Sequence, residues 1–228
     1  MSNFRVMTFN VRGANREDGV NIWPQRAGLN VETIRRYDPD VIGFQEFQPG
    51  NLATYQEQLP EYQYVFGPRG GYEEPCDYNA IAWKPGRLIQ VVSGGFWLSK
   101  TPEVVSFGWD AACIREVHWM RFKLADTERE FLHVNTHLDH RGEQARQEGA
   151  RFILHWLAES QDDTLPVIVT GDFNCGPDSP AHRLFMEQNF VDVYRATGNL
   201  DDEQAGTFHE FGKIDPSSWE ARCRIEWI

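Results

Sequence analysis

Four apolar runs of this chain, residues 4–9, 41–45, 131–136 and 167–171, are short and rich in β-branched and aromatic side chains. That pattern predicts buried strands. Each run leads directly into a polar residue. The first ends at Asn10 and the second at Glu46. The third ends at His137, with Asp139 and His140 just beyond, and the fourth at Asp172, with Asn174 two positions on. Further strands are predicted at 62–66, 79–84, 88–92 and 117–124, and Ala125-Asp126-Thr127-Glu128 has the length and polarity of a hairpin connection. A helix is predicted over 24–37, with Pro24 near its start, Asp38-Pro39 at its end, and Ala27, Val31, Ile34 and Arg35 on one face. A short helix is expected around 51–59. Over 142–160, Ala145, Gly149, Phe152, Ile153, Trp156 and Leu157 make an apolar stripe at helical spacing. Gly149 weakens that helix by about 1 kcal/mol relative to Ala, unless close packing there requires the absence of a side chain. Asp178-Ser179-Pro180 is a start signal for a last helix reaching about residue 188.

Hairpins mixed with crossover helices predict an α/β architecture of two mixed sheets packed together, with helices outside. No repeat, low-complexity tract or long linker divides the 228 residues, so one domain is expected. Ligands of layered α/β proteins bind beyond strand ends. If the four strands are neighbours, their polar ends form a single cluster of oxygens and an imidazole. Such a cluster suits a hard divalent cation and a phosphate ester.

Charge and cysteines narrow the classes. The formal net charge of −12 opposes general binding to nucleic acid, which relies on Lys and Arg at phosphates. Cys76, Cys113, Cys175 and Cys223 show no C-x-x-C spacing and do not read as a zinc or redox motif. No apolar run approaches the roughly 18–20 residues of a membrane span, and no secretory segment precedes the first strand, so a cytoplasmic location is expected.

Each polar strand end also has a plain structural reading. Glu46 could simply reach solvent, whereas a buried carboxylate there would need a partner or a metal. Asp172 and Asn174, two apart on an extended segment after Gly171, point the same way, as in a functional pair or an ordinary turn. A His-x-His-x-Asp-His zinc motif would need histidine at 135, where the chain has Asn135, and two His with one Asp fall short of a zinc set. His137 better suits hydrogen bonding to a phosphoryl oxygen or a role as an acid. Calcineurin-like phosphoesterases pair a Gly-Asp with Gly-Asn-His and Asp-x-His segments that are absent here.

Taken in order, Thr8-Phe9-Asn10-Val11-Arg12, Gly43-Phe44-Gln45-Glu46, Asn135-Thr136-His137-Leu138-Asp139-His140, Gly171-Asp172-Phe173-Asn174 and Arg224-Ile225-Glu226-Trp227-Ile228 resemble the endonuclease/exonuclease/phosphatase superfamily of DNase-like phosphoesterases. The bacterial metal-dependent hydrolase branch is the most similar, sharing Phe-Trp-Leu-Ser (96–99) and Gly-Thr-Phe-His (206–209) segments. The resemblance implies a four-layer α-β-β-α sandwich and a Mg²⁺- or Mn²⁺-dependent phosphoesterase. It implies Glu46 as principal metal ligand, with Asn10 helping to hold metal or phosphate. It also implies His137 at the scissile phosphate, Asp172 orienting or deprotonating water, and Asn174 at a phosphoryl oxygen. Asn79 falls where relatives carry a pocket asparagine. Arg115 suits either a phosphate contact or an ion pair with Glu116 or Asp110. Trp23 and Trp97 suit either a cleft wall or core.

The pattern departs twice. The last motif usually reads Arg-Ile-Asp-Trp-Ile, so Glu226 carries one extra methylene, a shift of about 1.5 Å. The family continues into a further strand and a Ser-Asp-His motif, whereas the sequence ends at Ile228. A domain incomplete at its C-terminus is therefore expected. The acidic balance favours a small phosphorylated metabolite, nucleotide or phospholipid headgroup as substrate. A nuclease or deadenylase acting on single strands would be marked by a basic stripe from Arg12, Arg16, Arg26, Arg115 or Arg141. A catalytically inactive binding protein of the same fold is the reading of a different class. Oligomeric state is open.

Overall fold

The computed structural model describes all residues except 1–3, 69–77, 128, 161–163, 203, 216 and 219–221. Cys76 and Glu128, invoked above, lie outside the described residues. The strands are β1 (Val6–Asn10), β2 (Val41–Phe47), β3 (Gln63–Phe66), β4 (Tyr78–Trp83), β5 (Leu88–Trp97), β6 (Glu116–Leu124), β7 (Glu130–His137), β8 (Val167–Asp172) and β9 (Glu226–Trp227). The helices are α1 (Trp23–Tyr37), α2 (Pro49–Gln58), α3 (Glu143–Ser160), α4 (Pro180–Glu187) and a single turn, α5 (Val193–Ala196).

One sheet has the order β1-β2-β4-β3 and the other β5-β6-β7-β8-β9. Both are mixed. β1 runs parallel to β2 and β7 parallel to β8, while the remaining pairs are antiparallel. The sheets pack face to face. α1 and α2 cover the outside of the first through Val31, Ile34, Phe44 and Tyr55, and α3 and α4 cover the second through Ala150, Ile153, Val134 and Phe185. This is the four-layer α-β-β-α sandwich that the sequence pattern and resemblance predict.

The space between the sheets changes character along its length. At one end Val41, Ile81, Trp83, Met120, Phe122 and Phe131 form a dry apolar cluster. At the other, polar side chains face inward. Gln45 Nε2 donates to Asn135 Oδ1 (2.7 Å), and Asn135 Nδ2 donates to the carbonyls of Phe44 (2.8 Å) and Ala80 (3.2 Å). Asn135 is thus a clamp between sheets. Gly43 permits this approach, since a Cβ there would lie 2.6 Å from Asn135 Oδ1.

Several elements differ from their predicted extent. β5 runs on to Trp97 because its pairing with β6 continues through Gly94-Gly95, and a Cβ at Gly94 would lie 2.6 Å from the Trp119 ring. The glycine pair thus lies within the strand, where Gly94 lets an aromatic ring approach the backbone. On α1, Trp23 and Asn30 join Ala27, Val31 and Ile34 on the buried face, while Arg35 points outward to the carbonyl of Gln58 (2.8 Å). Trp23 and Trp97 are both core. Trp23 packs edge-on against Tyr55 and donates to Thr54 Oγ1 (3.0 Å). Helix α4 begins as its start signal predicts, with the Ser179 side chain accepting from the His182 N–H. A Cβ at Gly149 would meet Leu138 and Leu98 at 3.4 Å, an ordinary contact, so packing does not demand glycine there.

Candidate active site

The topology brings the polar strand ends together. β1 and β2 end side by side in one sheet, β7 and β8 in the other, and β9 lies antiparallel against β8 with Glu226 paired to Asp172. Asn10 is the hinge of the cluster. Its amide Nδ2 donates to Glu46 Oε1 (3.0 Å) and to Asp172 Oδ2 (2.9 Å), linking the two sheets, while its Oδ1 accepts from the Arg12 N–H (2.9 Å).

Glu46 arrives there through a local irregularity. The β2–β4 register shifts between Phe44 and Phe47, and Glu46 has φ +53°. A bulge of this kind turns one side chain out of the strand's alternation. Left-handed backbone is costly for a non-glycine residue and is held only where the surroundings enforce it. Here the Glu46 carbonyl accepts from Gly13 N–H (2.9 Å), and its Oε2 lies 3.3 Å from Arg16 Nη2. Asn174 is also left-handed (φ +51°); its N–H donates to Asp172 Oδ1 (3.0 Å) and its Nδ2 to the Leu138 carbonyl (2.9 Å). An amide nitrogen carries two hydrogens, so one Nδ2 donor remains for a ligand.

Three carboxylates share this end of the molecule. Burial raises the Asp172 carboxyl above the usual range, and Glu46 adds to the rise against the bonds from Asn10 and Asn174. Burial also raises Glu226, followed by the charge of Asp172. Glu226 Oε2 is buried with no hydrogen-bond partner among the described residues. His137 Nε2 stands 3.6 Å from Asp172 Oδ2. Burial, then Arg115, His140 and Arg16, hold its pKa well below the ordinary value, so the imidazole is neutral at pH 7.

Arg115 turns toward this cluster, away from both anticipated partners. Its Nη2 lies 3.3 Å from His140 Nδ1 and its Nε 3.7 Å from Asp139 Oδ2. Asp110 instead caps α3 through the Ala145 N–H (2.6 Å), and Glu116 faces Asn79. Asn79 is set apart from the others. It is buried, its N–H donates to Glu116 Oε1 (2.8 Å) and its Nδ2 to the Glu116 carbonyl (2.9 Å). No hydrogen bond joins it to Asn10, Glu46, His137 or Asp172 among the described residues.

Asp139, adjacent to the motif histidine, organises the loop. Burial works to raise its pKa, but four backbone N–H donors, from Ala112, Cys113, Arg141 and Gly142, outweigh that and lower it. Ligand atoms of Cys113, Asp139 and His140 lie within 4.8 Å of one another. With both carboxylate oxygens doubly engaged, Asp139 is a poor ligand, and Cys113 and His140 alone fall short of a zinc set. The Asn10–Glu46–Asp172–Glu226 group is different: its donors are oxygens with an excess of negative charge, the set that suits Mg²⁺.

Two contributors carried no role in the sequence reading. Arg16 was visible only as one of several basic residues. Thr207 accepts from the N–H of Ile225 (3.0 Å) and of Glu226 (3.5 Å), seating β9. Its only sequence signal was the 206–209 segment.

Fold and site together define a layered α/β phosphoesterase architecture with its polar centre at the strand ends. The profile of the Endonuclease/Exonuclease/phosphatase family matches residues 7–224, and the chain belongs to this family, whose members hydrolyse phosphate esters. An uncharacterised protein of Acanthamoeba polyphaga mimivirus is 30% identical over 228 residues, covering 92% of this chain and 81% of that protein. The mannosyl-6-phosphatase of Bacteroides thetaiotaomicron is 32% identical, with a TM-score of 0.85 over 99% of this chain and 84% of that one. The human Nocturnin catalytic domain, solved with a bound sulfate anion, shares the fold at 21% identity, with a TM-score of 0.74 over 98% of this chain and 80% of that one. No helix among the described residues is long and apolar enough to cross a membrane.

Proposed function

We propose that this chain is a Mg²⁺- or Mn²⁺-dependent phosphoesterase that hydrolyses a phosphate mono- or diester of a small phosphorylated compound by in-line attack of water. The observation that carries the reading is the Asn10 amide bridging Glu46 and Asp172 across the two sheets. It gathers an oxygen-rich, negatively charged donor set, the chemistry a hard divalent cation needs. Glu46 and Asn10 would hold the metal, which neutralises charge on the phosphoryl group when bound. Asp172, its pKa raised by burial, is suited to accept the proton of the attacking water. Neutral His137 donates a hydrogen bond to a phosphoryl oxygen, a role favoured over that of a proton donor by its lowered pKa. Asn174 offers its remaining amide hydrogen to a second oxygen, Arg115 supplies positive charge beside them, and Glu226 adds a further carboxylate. Asn79 acts on the pocket from behind, through Glu116.

The basic residues favour a small substrate over a nucleic-acid strand. Arg12 is paired with Asp18 (2.7 Å), Arg16 with Glu46 (3.3 Å), and Arg26 is engaged by the carbonyls of Val11, Arg12 and Gly13. Three of the five arginines of the anticipated stripe are thus engaged by internal partners, which leaves less positive charge for a chain of phosphates. The 32%-identical Bacteroides relative, a mannosyl-6-phosphatase, supports the same choice. A cytoplasmic location accords with Cys113, Cys175 and Cys223 being free thiols.

The test is calorimetric titration of Mg²⁺ and Mn²⁺ into wild type and Glu46→Gln, with hydrolysis of phosphomonoesters, nucleotides and RNA in parallel. Metal binding is expected to vanish in the variant; unchanged affinity sinks the site assignment. Metal binding without hydrolysis of any of these esters returns the chain to the binding-protein reading.

A further inference from the structure

The Gly-Thr-Phe-His segment at 206–209 straddles the two cavities that flank the candidate site. Thr207 and His209 line one of about 510 Å³ together with Asn10 and Glu226. Phe208 lines the other, of about 480 Å³, which starts at Asn174. The first cavity lies along β1, the outermost strand of its sheet, where an unpaired edge is open to further pairing.

That second cavity has two contrasting sides. Ile225 forms part of an apolar floor and is 7% exposed, while the Phe208 ring stands as a wall and is 38% exposed, open to a ligand. Facing them, the first turns of α3 present Glu143, Arg146 and Gln147. These polar groups are held in place. Gln147 Nε2 donates to Glu143 Oε1 (3.2 Å), and Arg146 Nη1 donates to the Asp139 carbonyl (2.8 Å). A guanidinium has five N–H donors and a carboxylate only acceptors, so the rim offers both kinds of partner at one level. Its charges balance, which disfavours a second anionic group. The other ring lining the cavity, His140, is engaged by Arg115 (3.3 Å), which leaves Phe208 as one aromatic face, short of the two that would sandwich a base. Hydroxyls that both donate and accept, set around a ring with apolar C–H faces, match the rim and the wall together. The volume falls within the range of small-molecule sites.

We propose that this cavity is the leaving-group subsite and takes a polyhydroxylated ring of pyranose size, esterified to the phosphate held beside Asn174. The assignment rests on the phosphoesterase reading above. It makes Phe208 a specificity determinant and gives the 206–209 segment two tasks: Thr207 seats β9, and Phe208 meets the sugar.

The experiment compares kcat/KM for a hexose 6-phosphate and for p-nitrophenyl phosphate, with Mg²⁺, in wild type and Phe208→Ala. The variant is expected to lose about tenfold on the hexose phosphate and less than about twofold on the aryl ester, a difference near 1 kcal/mol in transition-state binding. Equal losses on both esters, or none on either, overturn the subsite while leaving the phosphoesterase reading intact. Failure of wild type to hydrolyse any ester counts against that reading instead. The subsite is then read alone by calorimetry of hexose 6-phosphate binding in EDTA. Weaker binding by Phe208→Ala supports it, and equal affinity for wild type and variant overturns it.

Discussion

The two ends of the space between the sheets are built from the same strands and from opposite chemistry. At the apolar end Val41, Ile81, Trp83, Met120, Phe122 and Phe131 exclude polar atoms almost completely. At the site end, Gln45 Oε1, Asn79 Oδ1, Glu116 Oε2, His118 Nδ1 and His133 Nδ1 are buried without a hydrogen-bond partner among the described residues. An unsatisfied buried polar group costs about 1–3 kcal/mol. The apolar end therefore stabilises the sandwich, while the polar end lowers its stability and holds the proposed site. A polar lining this deep does more than floor a site. Glu116 holds Asn79 from beneath, and burial lowers His118 and His133 to about 3, keeping both neutral inside the protein.

Substitutions at the two ends should separate these contributions. The largest effect is expected for Asp172→Asn: kcat falls by about 10³-fold with the base removed, while the melting temperature holds or rises, because a carboxylate leaves a buried acidic group. A large loss of stability in this variant would mean that the polar end also supports the fold. Next, Phe122→Ala should cost about 3–5 kcal/mol in denaturant unfolding and leave divalent-metal affinity unchanged. A weakened metal site in that variant would show that the two ends are coupled. The smallest effect concerns pH. Burial lifts Glu116 from 4.5 to about 8, with the Asn79 N–H opposing. Between those values the folded protein keeps a proton that the unfolded chain has lost, so wild-type stability falls as pH rises through that window. Glu116→Gln removes this slope. Its melting temperature relative to wild type should improve steadily from about pH 5 to about pH 8. A constant difference would mean that Glu116 is already ionised in the folded state.

The sequence pattern located most elements and all four polar strand ends because both rest on local periodicity. Features set by distant neighbours escaped it. Nothing near Glu46 announces a left-handed residue in a bulge, since the register shift belongs to the pairing with β4. Gly94-Gly95 lies past the predicted end of its strand at residue 92, and the pairing with β6 carries the strand through it. Arg115 had two plausible partners within five residues and points to a third, Asp139, 24 positions away. His118 and His133 fall at inward positions of their strands. Alternation identifies the face but not whether it meets an apolar or a polar neighbour.

The hydrogen bond from Asn10 to Asp172 spans 162 positions of the chain. Its partners come from the first and the eighth strand, so no partly folded state with only one sheet formed can hold the centre. Long-range pairings of this kind form late, after the entropy of closing the intervening loops has been overcome. The proposed centre therefore forms only once both sheets are in place. During synthesis, a half-made chain would expose the separate pieces of the proposed centre without joining them.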